Sequence, residues 1–288
     1  MKVTKNTEKK YREKRYQQFD RGELNIKHLL SHRVANKIMI NLITLQRIMN
    51  RERLFIIGDK RKRTNSSIIF SPMHIGGKDV EMVFEAIKTY TWIMIGDPRE
   101  LYRNLSGTML KLNGVIWFDT LFKKDRHIAK MRSIELLKHD ENLIMFPEGA
   151  YNISPNRLVM YPYSGLAEIA ITTSSDIVPI GLVRNGKDYY VNIGENISTG
   201  GYKLEQKYEL TDLLRNRMAH LCWEIMEALP ITKRKTLGYD YYNEIFLKEI
   251  FAEEGYTYTV NDVKETLYRP KGIEGDEFKE GFFIDDLE

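Results

Sequence analysis

A histidine and a carboxylate stand five positions apart across a glycine turn, at His74 and Asp79. A neutral imidazole takes a proton from a hydroxyl, and a nearby carboxylate fixes its tautomer and stabilises the imidazolium that forms. The pair therefore predicts a general base with its orienting partner. The simpler interpretation is that Asp79 only caps a helix and that His74 is a satisfied core residue.

The residues on either side of the pair predict the elements that hold it. The apolar run 67–70 is typical of a buried strand, whereas residues 79–87 have helical spacing. His74 then lies at the carboxyl end of a strand, and Asp79 lies in the first turn of a helix. Open α/β sheets bind their ligands at the carboxyl ends of parallel strands, so this position favours the catalytic interpretation.

Strands and helices alternate along most of the remaining chain. Apolar runs predict strands at residues 54–57, 91–96, 114–118, 142–146 and 177–183, and helical spacing predicts helices at residues 98–112, 125–138, 163–173 and 210–229. This alternation predicts an α/β fold with a mainly parallel central sheet flanked by helices. Asn185-Gly186 predicts a hairpin turn, which accounts for the incomplete phosphate-loop pattern around it without a nucleotide.

Three further blocks follow the first one in order. They are Gly114-x-x-x-Phe118-Asp119, Phe146-Pro147-Glu148-Gly149 and Val178-Pro179-Ile180-Gly181. Together with His74-x4-Asp79, their order and spacing over residues 65–185 resemble the glycerolipid acyltransferases, in particular the 1-acylglycerol-3-phosphate (lysophosphatidate) acyltransferases. The resemblance does not extend to residues 1–60 or 230–288.

The resemblance implies transfer of a fatty acyl group from coenzyme A or acyl carrier protein to a glycerolipid hydroxyl, with no cofactor and no metal. His74 would deprotonate the acceptor hydroxyl for direct attack on the thioester carbonyl, while Asp79 holds the ring. Backbone amides near Gly76 and Gly77 would stabilise the oxyanion. Glu148 would project into the same cleft and help to bind the acceptor; its alternative is a solvated residue in a Pro-Glu-Gly bend.

Two departures from the family's pattern concern the arginines that clamp phosphate. Thr120 stands where the second block ends in arginine, and Ala150-Tyr151 stands where the third continues with Thr-Arg. An arginine fork is hard to replace at a phosphate. Either Arg126, Arg132 or Arg157 supplies the charge from a shifted position, or the acceptor is not a lysophosphatidate. The predicted substrate-binding residues are Gly76, Gly77, Asp119, Phe146, Pro147, Glu148, Gly149, Arg126 and Arg157.

The missing arginines keep two alternatives open. One is an acyltransferase for a phosphate-free acceptor, such as a sugar or another lipid. The other is a lipid-binding or scaffold protein that kept the fold and lost turnover. The intact His74, Asp79 and Pro-Glu-Gly block argue against the second alternative.

The composition is that of an ordinary soluble protein, with 42% hydrophobic and 29% charged residues. Cys222 is the single cysteine, which excludes an internal disulfide and a Cys-based zinc cluster and indicates a reducing cytoplasm. Its apolar helical surroundings predict a core position. Neither a secretory signal nor a run of about 18 apolar residues is present, so we expect a peripheral protein on the inner face of the cell membrane.

The net charge of +4 conceals two ends of opposite charge. Residues 1–64 hold 18 Lys and Arg against 6 Asp and Glu, whereas residues 239–288 hold 5 against 14. The two ends could pair with each other, or the basic end could dock an acidic carrier protein. We expect it to meet an anionic membrane, where each basic residue contributes roughly 1 kcal/mol. No RNA or DNA motif accompanies the charge, so nucleic acid is not an expected partner.

Residues 34–50 predict a helix with an apolar stripe. Its members are Ile38, Leu42, Leu45 and Met49, widened by Met39 and Ile43. We expect the stripe to pack in the core. The alternative is an interfacial helix whose apolar face enters lipid. The basic residues that would then meet headgroups are Lys37, Arg47, Arg51 and Arg53.

The patterns together predict three parts of the chain. Residues 1–53 form a basic helical N-terminal segment, residues 54–230 form the acyltransferase domain, and residues 231–288 form an acidic C-terminal extension. We expect the extension, which is rich in Tyr, Phe and acidic residues, to be a small lobe or a cover for the basic segment.

Overall fold

The apolar runs of the sequence form strands and its amphipathic stretches form helices close to the predicted places. The computed structural model describes residues 5–22, 30–96, 105–154, 157–230, 233–251 and 259–268. The strands in these ranges are β1 (Arg53–Asp59), β2 (Ile68–Pro72), β3 (Trp92–Gly96), β4 (Val115–Phe118), β5 (Leu143–Ile144), β6 (Asp176–Asn185) and β7 (Asp188–Ile193). The α-helices are α1 (Lys5–Asp20), α2 (Leu30–Met49), α3 (Asp79–Ile87), α4 (Leu105–Asn113), α5 (Lys123–Lys138), α6 (Gly165–Thr173), α7 (Lys207–Glu227), α8 (Leu247–Ile250) and α9 (Val260–Thr266). The helix predicted from residue 98 is observed from Leu105, since residues 97–104 lie outside the described ranges.

The strands form one sheet in the order β1-β7-β6-β2-β5-β3-β4. Neighbouring strands are parallel except for β6 and β7, which form an antiparallel hairpin closed by the pair Asn185 and Asp188. The hairpin lies where the Asn-Gly pair predicts it, and Gly186 has the positive φ of 58° that glycine adopts without strain. The predicted α/β fold with a mainly parallel sheet is confirmed.

The centre of the sheet leads directly to the predicted site. β2 lies between β5 and β6, with Phe70 opposite Ile144 on one side and Val178 on the other. These three side chains are fully buried, as expected for parallel strands covered on both faces. The carboxyl ends of β2 and β5 are therefore adjacent and lie beside the middle of β6, and three of the four sequence blocks lie there. The remaining block ends at the carboxyl end of β4, on the edge of the sheet.

The helices pack in two layers. α2 contacts α3 and α4, whereas α5 contacts α1 and α6, and α6 contacts α7. Right-handed crossovers place α3 and α4 on one face and α5 and α6 on the other, because the chain reverses direction along the sheet after β4. Cys222 on α7 is buried beside Met73, as predicted for a core residue, and burial raises the pKa of its thiol to about 12.

The basic helix α1 forms ion pairs with α5 and with the loop before it. Arg15 and Asp125 form a buried pair with Nε 2.9 Å from Oδ1, and Arg12 Nη1 lies 3.0 Å from Asp119 Oδ2. Two basic residues expected at a membrane are therefore neutralised inside the protein. Pairing of the basic end with residues 239–288 stays a prediction, because much of that range lies outside the described residues.

The apolar stripe of α2 is divided between the core and the surface. Met39 and Ile43 are buried and belong to the main core. The other members are exposed, and together with two neighbouring apolar residues they form a face whose side chains are 50% to 74% exposed: Val34, Ile38, Leu42, Leu45, Ile48 and Met49. The prediction that Ile38, Leu42, Leu45 and Met49 pack in the core is wrong, because α2 rests on α3 and α4 by its other face.

The described part of the C-terminal extension packs over the carboxyl end of the sheet. Residues 242–251, which we call the C-terminal strap, form a π-helical turn (Tyr242–Phe246) that continues as α8. The strap and α9 share a second apolar cluster with the loop after β5, made of Ala150, Ile153, Met160, Ile250, Val263 and Leu267. The expectation of a cover for the basic segment is wrong for the strap, which covers the loops after β2 and β5. The division of the chain at residues 53 and 230 stays a prediction.

Candidate active site

His74 and Asp79 meet at the carboxyl end of β2 as the sequence predicts. His74 Nδ1 lies 2.8 Å from Asp79 Oδ2, and the same oxygen accepts a hydrogen bond from the Gly76 amide at 2.8 Å. The turn closes because Gly76 and Gly77 adopt positive φ angles of 76° and 60°. Asp79 is buried at the start of α3, whereas the His74 side chain is 20% exposed. A carboxylate on Nδ1 leaves Nε2 as the atom that accepts a proton.

Glu148 supports the backbone of this turn. Its Oε1 accepts from the His74 amide at 2.9 Å, and its Oε2 accepts from the Met160 amide at 2.7 Å. The side chain is fully buried, so the alternative of a solvated residue in a Pro-Glu-Gly bend is wrong, and the role of Glu148 in binding the acceptor stays a prediction. Burial raises the pKa of this carboxyl to about 7, against the lowering effect of the two amides and of His74.

An aromatic wall encloses the His74 ring. The ring centroids of Phe146 and Tyr151 each lie 4.4 Å from that of His74, the first tilted and the second edge-on. Phe251 of the strap packs edge-on against Tyr151 at 5.8 Å. The aromatic ring of Tyr151 therefore lies beside the base at a position where the family's pattern has an arginine.

The two glycine amides predicted to stabilise an oxyanion are both occupied. The Gly76 amide donates to Asp79, and the Gly77 amide donates to the carbonyl of Ile250 in the strap at 2.9 Å. The Gly76 amide therefore belongs to the orientation of His74. The Gly77 amide is available to a substrate only when the strap moves away.

The other residues of the third block shape the loop that carries Glu148. Pro147 is buried, and its carbonyl accepts from the Tyr163 amide at 2.8 Å. Gly149 has a φ of 71°, and a Cβ there would lie 2.7 Å from the Tyr163 ring. Further along the loop, the Asn152 amide donates to the His74 carbonyl at 2.6 Å. These contacts attach the loop after β5 to the turn after β2.

The second block lies apart from His74. Asp119 follows β4, three strands from β2, which corresponds to roughly 14 Å across the sheet. Its carboxylate accepts from Arg12 and from the Leu121 amide. Arg126 Nη1 donates to the Thr120 carbonyl at 2.5 Å. Asp119 and Arg126 therefore lie apart from His74, with β5 and β3 between them, and their role in substrate binding stays a prediction.

The two remaining arginine candidates make contacts elsewhere. Arg132 on α5 faces α1, with Nη2 3.4 Å from the Gln18 side chain, and burial lowers its pKa. The Arg157 guanidinium lies over the Tyr161 ring at 5.2 Å, beside a cavity of about 260 Å³ that Arg215 also lines. Arg157 is linked to the site through Asn152, whose side-chain amide donates to the carbonyls of Arg157 and Leu158.

Sequence reasoning missed Arg184 and the strap. Arg184 follows the fourth block by three residues, and its Nη1 lies 2.9 Å from the position of a Cβ on Gly77. The signal for Arg184 was its place near the end of an apolar run that pairs with β2. No local pattern connected Ile250 or Phe251 with His74, because the residues in contact are far apart in the sequence.

Within the described ranges, no group of three or more His, Cys, Asp or Glu residues is placed to hold a metal ion. The geometry assembles instead a histidine with a carboxylate on Nδ1, next to a turn with amide donors. That arrangement supports removal of a proton from a hydroxyl and stabilisation of the imidazolium that results.

Comparisons with known proteins agree with this chemistry. Residues 53–183 match the family model described as Acyltransferase, and all four sequence blocks lie in that range. Among solved structures, the 1-acyl-sn-glycerophosphate (LPA) acyltransferase PlsC from Thermotoga maritima is similar in fold, with a TM-score of 0.56 and 14% identity over 75% of this chain and 90% of that chain. No curated protein matches the chain at a significant level. The resemblance predicted from the blocks is confirmed for residues 53–183, which match the acyltransferase family model.

Proposed function

We propose that this chain, whose residues 53–183 belong to the acyltransferase family, moves a fatty acyl group from a thioester to a hydroxyl of a lysophosphatidate-like glycerolipid. The donor is acyl coenzyme A or acyl carrier protein. The observation that carries the proposal is the 2.8 Å hydrogen bond between His74 Nδ1 and Asp79 Oδ2 at the carboxyl end of the central strand. The similar protein PlsC is named as an LPA acyltransferase, which supports the choice of acceptor class.

The proposed reaction is a direct transfer. His74 Nε2 takes the proton of the acceptor hydroxyl while the hydroxyl oxygen attacks the thioester carbonyl carbon. The tetrahedral intermediate collapses with cleavage of the carbon–sulfur bond, and the leaving thiolate takes the proton back from the imidazolium. Asp79 stabilises that imidazolium, and general-base catalysis of this kind contributes about 10²- to 10⁴-fold in rate.

Replacement of His74 tests the proposal. We expect His74→Ala to lower acyl transfer to lysophosphatidate by about 10²- to 10⁴-fold, because the variant lacks the Nε2 atom that takes the proton. The assay follows transfer of a labelled acyl group from acyl coenzyme A and from acyl carrier protein. His220→Ala, which removes an exposed histidine of α7, is the matched control and should keep wild-type activity. Equal transfer by wild type and His74→Ala would refute the mechanism.

A phosphate-free acceptor is a second candidate, and the position of Tyr151 favours it. The Tyr151 ring lies edge-on at 4.4 Å from His74, where the family's pattern has a phosphate-binding arginine. An aromatic edge offers packing to an apolar or sugar face but no charge to a phosphate. Acceptors without phosphate, such as a monoacylglycerol, therefore belong in the same assay. Transfer to these acceptors alone would support this candidate.

The exposed face of α2 supports attachment to a lipid surface. Its six exposed apolar side chains share one side of a 20-residue helix, and Lys37 and Arg51 beside them are also exposed. Arg47 and Arg53 instead pair with Glu85 and Asp188. No helix in the described ranges has the length and apolar character needed to span a membrane. An apolar face bordered by basic residues fits the headgroup region of an anionic bilayer.

Vesicle binding tests this attachment. We expect the double variant Leu42→Asp, Leu45→Asp to bind vesicles of anionic phospholipid at least about tenfold more weakly, because charges replace two leucines that would enter the lipid. Leu204→Asp changes a leucine of similar exposure away from α2 and should bind like the wild type. Unchanged binding of the double variant would exclude α2 as the attachment surface.

A further inference from the structure

Two hydrogen-bond donors beside the His74 turn hold consecutive carbonyl groups of the C-terminal strap. The Gly77 amide donates to Ile250 O at 2.9 Å, and Arg184 Nη1 donates to Glu249 O at 2.7 Å. Both donors are close together, since Arg184 Nη1 would lie 2.9 Å from a Cβ on Gly77. They are brought there because β6 extends past the end of β2 and places Arg184 above the turn.

The charge of Arg184 meets only uncharged groups in the part of the chain that the structure describes. Its Nε donates to the Gly186 carbonyl at 2.8 Å, and its guanidinium lies 5.3 Å from the Tyr189 ring. Burial raises the pKa of Tyr189 to about 12, so the phenol is neutral. A guanidinium binds a carboxylate or phosphate with two parallel hydrogen bonds and with the attraction of opposite charges, neither of which a single neutral carbonyl provides. Arg184 therefore lies in a site whose stronger ligand is an anion.

The strap is held over these donors by apolar packing. Ile250 is 5% exposed and belongs to the second apolar cluster, and Phe251 packs against Tyr151. The fit at the turn is close, because a Cβ on Gly76 would lie 2.5 Å from Ile250 O. The strap thus presents two carbonyl oxygens to the donors and blocks access to them.

We propose that the Gly77 amide and the Arg184 guanidinium form a phosphate-binding subsite, which the C-terminal strap closes with its own carbonyl groups. The proposal rests on the proposed function. It assigns the binding of phosphate to Arg184, because this sequence lacks the arginines that clamp phosphate in the family's pattern. The three arginines expected from the sequence contact Thr120, Gln18 and Tyr161 instead. Arg184 supplies a positive charge next to the His74 turn without any of them.

Closure by the strap has a measurable consequence. Substrate binds only the fraction of molecules whose strap has moved away, so the apparent affinity is reduced by that fraction. Ile250→Ala weakens the packing of the strap without touching Arg184 or His74. Apparent KM should then fall by about threefold or more for the phosphate-bearing substrate. Leu204→Ala removes a leucine outside this cluster and is the control, whose KM should not change.

Arg184→Ala tests the subsite itself in full-length protein. We expect KM for the phosphate-bearing substrate to rise by about 10- to 100-fold, with KM for a monoacylglycerol acceptor changed by less than about threefold. A rise for lysophosphatidate identifies the acceptor phosphate as the ligand, whereas a rise confined to acyl coenzyme A identifies the donor phosphates. Arg217→Ala removes an exposed arginine of α7 and should leave every KM unchanged.

Two outcomes would overturn the proposal. An equal rise of KM for phosphate-bearing and phosphate-free acceptors in Arg184→Ala would mean that Arg184 only stabilises the structure and does not bind phosphate. A lower kcat/KM in Ile250→Ala, with the circular dichroism spectrum unchanged, would mean that the strap completes the site instead of closing it.

Binding of glycerol 3-phosphate separates this inference from the proposed function. Calorimetry on Ile250→Ala measures binding without turnover, and the double variant Ile250→Ala, Arg184→Ala should bind at least about tenfold more weakly. If no variant transfers an acyl group but this difference holds, the proposed function fails and the subsite stands. If transfer occurs and the two variants bind glycerol 3-phosphate equally, or not at all, the subsite fails alone.

Discussion

The turn after β2 and the loop after β4 each carry an aspartate from a sequence block, and the fold uses the two differently. Asp79 is 1% exposed, and one of its oxygens holds both the His74 ring and the Gly76 amide. Asp119 is 18% exposed and holds Arg12 of α1 and its own loop. The first aspartate lies beside the central strand, next to the loop after β5, and the second lies at the edge of the sheet. Order in the sheet, not order in the sequence, therefore decides which block lies beside His74.

Among the substitutions that test this comparison, removing the charge of Asp79 should have the largest effect on the rate of acyl transfer. Asp79→Asn keeps the size of the side chain but removes the charge that stabilises the His74 imidazolium. We expect the rate of acyl transfer to fall by about 10²-fold or more, because the correct tautomer and the imidazolium are both lost. Single-turnover transfer from labelled acyl coenzyme A measures the effect. A change of less than threefold would mean that Asp79 contributes no more to the rate of acyl transfer than we expect of Asp119.

Glu148→Gln sharpens the comparison by testing the buried carboxyl behind the turn. In the folded protein the Glu148 carboxyl stays protonated up to about pH 7. In the unfolded chain the same carboxyl has the ordinary pKa of 4.5 and loses its proton at a lower pH. The folded state thus binds more protons between these values, and its stability falls as the pH rises through them. Glutamine does not titrate, so this part of the pH dependence disappears.

The expected difference is large enough for chemical denaturation. Between about pH 4.5 and about pH 8 the free energy of unfolding of the wild type should fall by roughly 3 kcal/mol relative to Glu148→Gln. Urea titrations of both proteins across this range measure the difference. Parallel curves would show that the Glu148 carboxyl has an ordinary pKa, and the buried arrangement at the turn would then need revision.

Local patterns predicted the parts of the site that depend on neighbouring residues. The run 67–70 correctly predicted that His74 follows β2, and the spacing of residues 79–87 correctly predicted that Asp79 starts α3. Both signals depend only on residues that are close together in the sequence. The Asn185-Gly186 pair predicted the hairpin for the same reason. The contact between His74 and Asp79 needed only this local geometry.

The rest depended on strand order and on distant packing. Nothing within residues 114–120 indicates that β5 and β3 separate β4 from β2, so the distance between Asp119 and His74 could not be predicted. Glu148 turned inward because two backbone amides converge on it from residues 74 and 160. The apolar face of α2 gave no local sign of exposure, since buried and interfacial helices share the same period. Contacts of the strap with Gly77 and Tyr151 join residues far apart in sequence.

Asp119→Asn should have the smallest effect and completes the comparison. The ion pair with Arg12 is partly exposed, and its loss should lower the free energy of unfolding by about 1 kcal/mol. Transfer by this variant should stay within about threefold of wild type, because Asp119 contacts α1 and not the His74 turn. A double-mutant cycle with Arg12→Ala isolates the coupling between the two residues. Turnover could instead fall as far as in Asp79→Asn without loss of stability. The loop after β4 would then have to reach the reacting groups during the reaction. In that case the distance between the two aspartates across the sheet would not predict which of them takes part in catalysis.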